Sequence, residues 1–152
     1  MQNLWSRGGP RFDELVETTR TRGLAHAFTF HGPVPYETVP GLLAGMDVGV
    51  IPAIFDYAFP VKLVEMGAAG IPVVSPRSSS LDELLRRGEY EPFEPLDRQS
   101  LVEALVGVLA DPGRRERLGA ALHAAVRDRF TWHASGDALA AVVEQARTRS
   151  IS

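Results

Sequence analysis

Short runs of apolar residues alternate along the chain with longer segments in which apolar residues recur every three or four positions. The short runs predict β-strands and the longer segments predict amphipathic helices. The predicted strands are residues 4–5, 27–30, 48–51 and 71–74, with residues 91–95 as a short strand or extended loop. This alternation predicts an α/β fold, with a parallel sheet covered by helices.

Helices are predicted between and after these strands, and Gly, Pro and Ser residues mark their ends. They cover residues 12–22, the second half of 34–46, 60–69, 81–85, 101–109, 114–128 and 133–147. Gly23 is placed to end the first helix, and Pro60 suits the first turn of the third. A serine among residues 78–80 caps the fourth helix, and Ser100 is expected to cap the fifth. Because no repeat or linker interrupts this pattern, residues 1–152 are predicted to form a single domain.

The amino-acid composition excludes several classes of function for this chain. Hydrophobic residues make up 45% of the chain and charged residues 23%, which is ordinary for a globular domain. The net charge of −3, with no basic stripe, argues against a nucleic-acid partner. The absence of cysteine excludes disulfides, thiolate metal sites and cysteine nucleophiles, and it fits a cytoplasmic protein. No apolar run approaches the roughly 20 residues of a membrane span.

Candidate chemistry lies where the loop of residues 52–59 enters the helix at Pro60. Ligands of parallel α/β sheets bind beyond the carboxyl ends of strands, and the first N–H groups of a helix favour an anionic phosphate. Lys62 lies in the first turn, and Glu65 falls on the same face three residues later. A lysine beside a phosphate and a glutamate accepting two hydrogen bonds from a ribose diol would hold a nucleotide.

Structural explanations compete with this hypothesis. Lys62 and Glu65 also fit a solvated surface pair that contributes a few tenths of a kcal/mol. The turn of residues 30–34 is a second place where a ligand could bind, but its His31 fits an ordinary turn residue. The remaining candidates are expected to be structural: His123 and His133 as helix-surface residues, Trp132 as a core anchor, and residues 78–80 as a capped turn.

A series of motifs, in order along nearly the whole chain, resembles glycosyltransferase family 4. The motifs are Phe-x-Gly-x-Val at residues 30–34, Val-x-x-Leu-Leu at 39–43, Asp-Val-x-Val-x-Pro at 47–52, Pro-Val-Lys-Leu-Val-Glu-Met at 60–66, Ala-x-Gly-x-Pro-Val-Val at 68–74, then Glu83, Asp97, residues 111–119 and Phe-Thr-Trp at 130–132. Each motif is weak by itself, and their joint order and spacing carry the resemblance.

The resemblance implies the GT-B fold, in which two Rossmann-like domains face each other across the donor site. The chain would be the C-terminal half, a Rossmann-like parallel sheet with helices on both faces that binds a nucleoside-diphosphate sugar. The family transfers the sugar with retention of configuration and needs no metal or other cofactor. A bacterial, cytoplasmic enzyme of glycan biosynthesis is therefore expected.

The resemblance also implies roles for individual residues. Glu65 would hold the ribose hydroxyls, as the second glutamate of the family's Glu-x7-Glu motif. Counting back from Glu65 to the first glutamate reaches Tyr57, whereas counting forward from Pro52 reaches Asp56. Asp56 is the candidate for the catalytic contact with the donor sugar. The expected nucleotide-sugar-binding residues are Phe59, Pro60, Val61, Lys62 and Glu65, together with Gly32 and Val34 against the base.

Parts of the family pattern are missing from the sequence. The segment that matches the family's first β-α unit, with the residues that grip the diphosphate, is absent, and so is the acceptor-binding domain. The chain alone is therefore expected to be inactive, with the N-terminal domain and the donor as partners. Self-association and peripheral membrane contact of the full enzyme are further expectations. Two alternatives are a non-catalytic nucleotide- or glycan-binding module and a related sugar-nucleotide epimerase.

Overall fold

The computed structural model describes residues 11–52 and 60–149. The chain divides into two compact units, Met1–Leu42 and Leu43–Ser152. The helices are α1 (Phe12–Thr21), α2 (Val39–Ala44), α3 (Val61–Ala68), α4 (Ser79–Leu84), α5 (Arg98–Ala110), α6 (Pro112–Arg129) and α7 (Trp132–Arg149), and the strands are β1 (Gly49–Val50), β2 (Val73–Pro76) and β3 (Glu91–Phe93). Within the described ranges, none of the helices combines the length and apolarity that a membrane crossing needs.

The strands form a parallel sheet with the order β1-β2-β3. Gly49 pairs with Val73, and Val74 pairs with Glu91, so β2 lies in the middle. The predicted strands at residues 48–51, 71–74 and 91–95 are thereby confirmed. Parallel neighbours need a crossover connection, which α3 and α4 provide between successive strands.

Helices cover both faces of the sheet, because neighbouring residues of β2 enter different apolar clusters. Val73 packs in one cluster with Leu63 of α3, Leu81 of α4 and Leu122 of α6. Val74 packs in the other with Phe93, Val108 of α5 and Leu118 of α6. Successive strand residues point to opposite faces, so the central strand is buried on both sides. The predicted α/β fold with helices on both faces is confirmed.

Two glycines allow α6 to pack closely against α3 and the turn that follows it. A Cβ added at Gly67 would lie 2.8 Å from the side chains of both Leu122 and Val126. A Cβ added at Gly119 would lie 2.3 Å from the backbone oxygen of Gly70. The small residues at these positions therefore set how near the two helices can approach.

The unit Met1–Leu42 contains α1 and two short 3₁₀ helices, Ala25–Ala27 and Tyr36–Thr38. Gly23 follows α1 with a φ of 69°, which confirms it as a helix stop. The predicted strand at residues 27–30 is wrong: Phe28 is extended, but the segment joins no strand of the described chain. An extended segment becomes a strand only when a neighbour supplies hydrogen-bond partners, and no described strand does so here. The rings of Phe28 and Phe30, on the same side of the segment, stack with centroids 6.0 Å apart.

Helix capping follows the prediction at one helix and departs from it at another. Ser78 caps α4 by accepting a hydrogen bond from Leu81 N–H at 3.2 Å. The prediction that Ser100 caps α5 is wrong. Asp97 is the N-cap, and its carboxylate accepts hydrogen bonds from the N–H groups of Gln99 and Ser100. The Ser100 hydroxyl instead accepts from the Glu94 N–H at 2.9 Å. A carboxylate at the helix N-terminus also interacts favourably with the helix dipole.

Trp132 is not the core anchor predicted from the sequence, because its side chain is 95% exposed at the start of α7. Other large apolar side chains on α7 share this exposure, namely Leu139, Val142 and Val143. The packing of α7 therefore differs from that of α6, whose Leu122 and Val126 are buried.

Leu96 is strained, and replacing it with glycine is expected to stabilise the protein by up to about 1 kcal/mol. It has a φ of 62° and a fully exposed side chain, and it follows Pro95 in a turn closed by a hydrogen bond from Asp97 N to Glu94 O at 3.1 Å. This pattern is that of a type II turn, whose third position favours glycine. Urea unfolding of Leu96→Gly measures the gain. Leu96→Ala shortens the side chain but keeps the Cβ that causes the strain. An equal gain in unfolding free energy in that variant would therefore refute the strain argument.

Candidate functional site

The candidate site is built on α3, which follows the carboxyl end of β1. Leu63 is fully buried in the core, and Gly67 is buried against α6. The predicted helix from Pro60 to about residue 69 is confirmed in outline, with Gly70 in a left-handed conformation just beyond it. The apolar face thus fixes the orientation of the polar side chains on α3.

The first turn of α3 has backbone N–H groups without a hydrogen-bond partner in the described part of the chain. Pro60 occupies the N-cap position in an extended conformation, and Leu63 N–H donates to its carbonyl at 2.9 Å. Pro60 has no side-chain donor or acceptor, and the N–H groups of Val61 and Lys62 make no hydrogen bond with other described residues. Free N–H groups at the positive end of the helix dipole favour an anion such as phosphate.

Lys62 is exposed and Glu65 is half-buried on this helix. The two side chains do not form an ion pair with each other, and neither has a charged partner among the described residues. The structure thus shows no ion pair between them, and the choice between a nucleotide site and a solvated surface pair stays a prediction. A cationic side chain, an unpaired carboxylate and free N–H groups instead share the first turns of one helix.

His123 of α6 holds the other end of α3. Its Nδ1 lies 3.0 Å from the carbonyl oxygen of Ala68 and 3.2 Å from that of Gly67. Because carbonyl oxygens only accept hydrogen bonds, Nδ1 must carry the proton in this arrangement. The ring is exposed, as the sequence predicted, but its role in fixing α3 was missed. No local signal could reveal a contact between residues this far apart in sequence.

Gly32 and Val34 belong to the other compact unit. Gly32 has a φ of 65°, which suits glycine, and both residues are exposed. Their grouping with Lys62 and Glu65 at one site stays a prediction. The predicted contacts of Asp56 or Tyr57 with the sugar, and of Phe59 with the nucleotide, lie outside the described residues.

The family model for glycosyl transferases group 1 matches residues 3–111. The chain belongs to this family. Among curated relatives, it is 33% identical over 139 residues to a phosphatidyl-myo-inositol mannosyltransferase from Mycobacterium leprae, covering 91% of this chain and 37% of that protein. It is 30% identical over 146 residues to a D-inositol 3-phosphate glycosyltransferase from Corynebacterium diphtheriae, covering 89% of this chain and 33% of the relative. This group 1 chain thus spans about a third of the relatives it matches.

Solved structures show the fold of this group 1 chain. Sucrose-phosphate synthase from Thermosynechococcus elongatus superposes with a TM-score of 0.77 at 22% identity, over 93% of this chain and 35% of that one. HepE from Anabaena, solved in complex with UDP, superposes with a TM-score of 0.76 at 21% identity, over 88% of this chain and 36% of that one. The chain has the Rossmann-like fold of the C-terminal half of a GT-B glycosyltransferase, as predicted.

Proposed function

We propose that this chain is the donor-binding portion of a retaining, metal-independent glycosyltransferase that uses a nucleoside-diphosphate sugar. The observation that carries the proposal is the first half of α3, which holds Lys62, Glu65 and N–H groups that have no partner among the described residues. Membership of the group 1 family makes sugar transfer the reaction that this arrangement would serve. The solved complex of HepE with UDP supports a nucleoside diphosphate as the ligand class.

Each part of the site has a chemical task in this proposal. The N–H groups of Val61 and Lys62, with the Lys62 ammonium, face the diphosphate. Glu65 accepts hydrogen bonds from both ribose hydroxyls, and its partial burial strengthens these charge-assisted bonds. Gly32 and Val34 lie against the base, and Asp56 contacts the donor sugar.

The rest of the reaction is assigned to parts of a longer protein. Transfer needs the acceptor and donor to be held between two domains, because positioning supplies much of the lowering of the barrier. We propose that the chain alone is inactive and that an N-terminal domain supplies the acceptor site, which agrees with its span of about a third of its relatives. Exposed apolar side chains of α5 and α7, such as Val106 and Leu139, support a further contact, with that domain or with a second copy. Cytoplasmic location stays a prediction.

Replacing Glu65 with alanine should weaken UDP and GDP binding by about ten- to a hundredfold. Loss of a charged hydrogen-bond partner costs about 1.5–3 kcal/mol, which corresponds to this range. NMR titration of the chain with each nucleotide measures the affinity. In the wild-type chain, the chemical-shift changes should cluster at residues 31–34 and 56–66.

Glu116→Ala is the matched control, because Glu116 is an exposed glutamate on α6 without an ion pair among the described residues. The control should bind both nucleotides as the wild-type chain does. Binding that persists unchanged in Glu65→Ala, or shifts that cluster elsewhere, would show that this site assignment is wrong. Nucleotide binding that depends on Glu65, combined with activity of the full-length protein, would exclude the non-catalytic module.

A further inference from the structure

A second concave surface lies in the unit Leu43–Ser152, between the end of α4, the start of β3 and the first half of α6. It has a volume of about 930 Å³, within the size range of small-molecule sites. Its lining contains five arginines, Arg77, Arg86, Arg87, Arg114 and Arg117, against two carboxylates, Asp82 and Glu91. None of the lining residues belongs to α3 or to residues 31–34. We call this surface the arginine groove.

The acidic residues that line the groove already have partners. Glu91, with its side chain 16% exposed, forms an ion pair with Arg114 at 2.7 Å. Asp82 accepts a hydrogen bond from the Tyr90 hydroxyl at 3.4 Å. Burial raises the pKa of Tyr90 to about 12, so its hydroxyl keeps its proton at neutral pH. Asp82 keeps its negative charge, because a hydrogen bond from a neutral hydroxyl does not neutralise it, whereas Glu91 is paired with an arginine.

The carboxylates around the rim of the groove are also paired with arginines. Arg77 pairs with Glu94 at 3.1 Å, and Arg117 lies 3.9 Å from Asp111. Glu89 pairs with Arg129 of α6. Arg86 and Arg87 are left with no ion-pair partner in the described part of the chain. Five lining arginines therefore face four carboxylates in the lining and at the rim, which leaves a small excess of positive charge, although the whole chain has a net charge of −3.

The turn that carries these two arginines is held in place. Glu89 accepts a hydrogen bond from the Arg86 backbone N–H at 2.7 Å, and its own N–H donates to the Arg86 carbonyl at 3.1 Å. Gly88 has a φ of 91°, a conformation that side chains rarely allow. Because Glu89 is also tied to Arg129, the turn is anchored to α6.

The floor of the groove is apolar. Leu85, Tyr90 and Leu118 are each at most 6% exposed and line it together with Pro92 and Ala121. A guanidinium offers donors in a planar fork that matches phosphate oxygens, and an apolar floor suits the organic body of a ligand. Charge and shape thus both indicate an organic phosphate rather than a bare ion.

We propose that the arginine groove binds a phosphate ester, with Arg86 and Arg87 as the principal phosphate contacts and the apolar floor against the attached organic group. The phosphate can come from a soluble phosphorylated metabolite or from the headgroup of an anionic phospholipid. The groove shares no described residue with the nucleotide site proposed on α3, so the two sites can be tested separately.

Titration of the chain with glycerol 1-phosphate, and with inorganic phosphate as the bare ion, followed by NMR, tests the soluble source, and the ester is expected to bind more tightly. Shifts are expected at the backbone of residues 85–92 and 114–121, and both ligands should bind at least tenfold more weakly to Arg86→Gln/Arg87→Gln. Co-sedimentation with phosphatidylglycerol vesicles, compared with phosphatidylcholine vesicles, tests the lipid source with the same variants.

Arg22→Gln/Arg98→Gln is the control, because it removes two exposed arginines that have no ion pair among the described residues. It changes the net charge equally and should leave binding unchanged. Binding of the soluble ligands alone would assign a metabolite, and binding of phosphatidylglycerol vesicles that requires Arg86 and Arg87 would assign a lipid headgroup. The proposal is overturned if neither source binds, or if the control loses as much binding as the groove variant. Glu65→Ala should not alter groove binding, so failure of either proposed site is recognised separately.

Discussion

Replacing Gly119 with alanine is expected to destabilise the protein by about 2–3 kcal/mol. The new Cβ would lie 2.3 Å from the carbonyl oxygen of Gly70 and 3.4 Å from the Pro72 ring. Since the nearest atom belongs to the backbone, the clash cannot be relieved by a side-chain rotation, and α6 must move away from the turn after α3. Urea unfolding followed by circular dichroism measures the loss.

Gly136→Ala is the matched control for this substitution. Gly136 lies within α7, and a Cβ there would meet nothing within 4 Å. Alanine should therefore stabilise the helix by about 0.5–1 kcal/mol, since it loses less backbone entropy on folding than glycine. If both variants changed stability with the same sign, close packing of α6 against Gly70 would not be the cause.

Leu122→Ala is expected to cost about 3–4 kcal/mol by leaving a cavity between α6, α3 and the sheet. Leu122 is fully buried, packs in the same cluster as Leu63, and closes over Gly67. Because the cavity lies directly beneath α3, the backbone resonances of residues 61–68 should shift in the variant. The free energy of unfolding and an NMR fingerprint spectrum together check both effects.

The comparison for Leu122 is Leu139→Ala on α7. Leu139 is 66% exposed, and substitutions at such positions usually change stability by no more than about 0.5 kcal/mol. Equal losses in the two leucine variants would mean that the packing of Leu122 does not support α3. A large loss at Leu122 alone, together with shifted resonances of residues 61–68, would show that the position of α3 depends on α6.

Much of the fold could be predicted because its signals are local. The apolar run before and within β2 marks a strand buried on both faces, and its central position follows from that burial. Pro60 and Gly70 bracket α3 because proline suits a helix start and glycine accepts the left-handed conformation that ends one. The spacing of Lys62 and Glu65 on that helix follows directly from 3.6 residues per turn.

Predictions failed where the outcome depended on distant partners. Residues 27–30 have the composition of a strand, but pairing needs a neighbour, and no described strand lies beside them. Trp132 is apolar, but it is 95% exposed, and no element of the described chain covers it. The N-cap of α5 depends mainly on residues near it in sequence. Asp97, rather than Ser100, is the cap because its backbone is extended and its carboxylate accepts hydrogen bonds from the first N–H groups of the helix.

The sequence by itself determined the order of strands and helices, the family, and the residue types at the head of α3. Each of these depends on neighbours along the chain or on motifs preserved in order. The tertiary structure alone decided that Lys62 and Glu65 do not pair, that His123 holds the end of α3, and that five arginines line one groove. The residues that meet at the end of α3 and in the arginine groove come from separate helices, strands and turns. Their ion-pair and hydrogen-bond partners are therefore determined only when the chain folds.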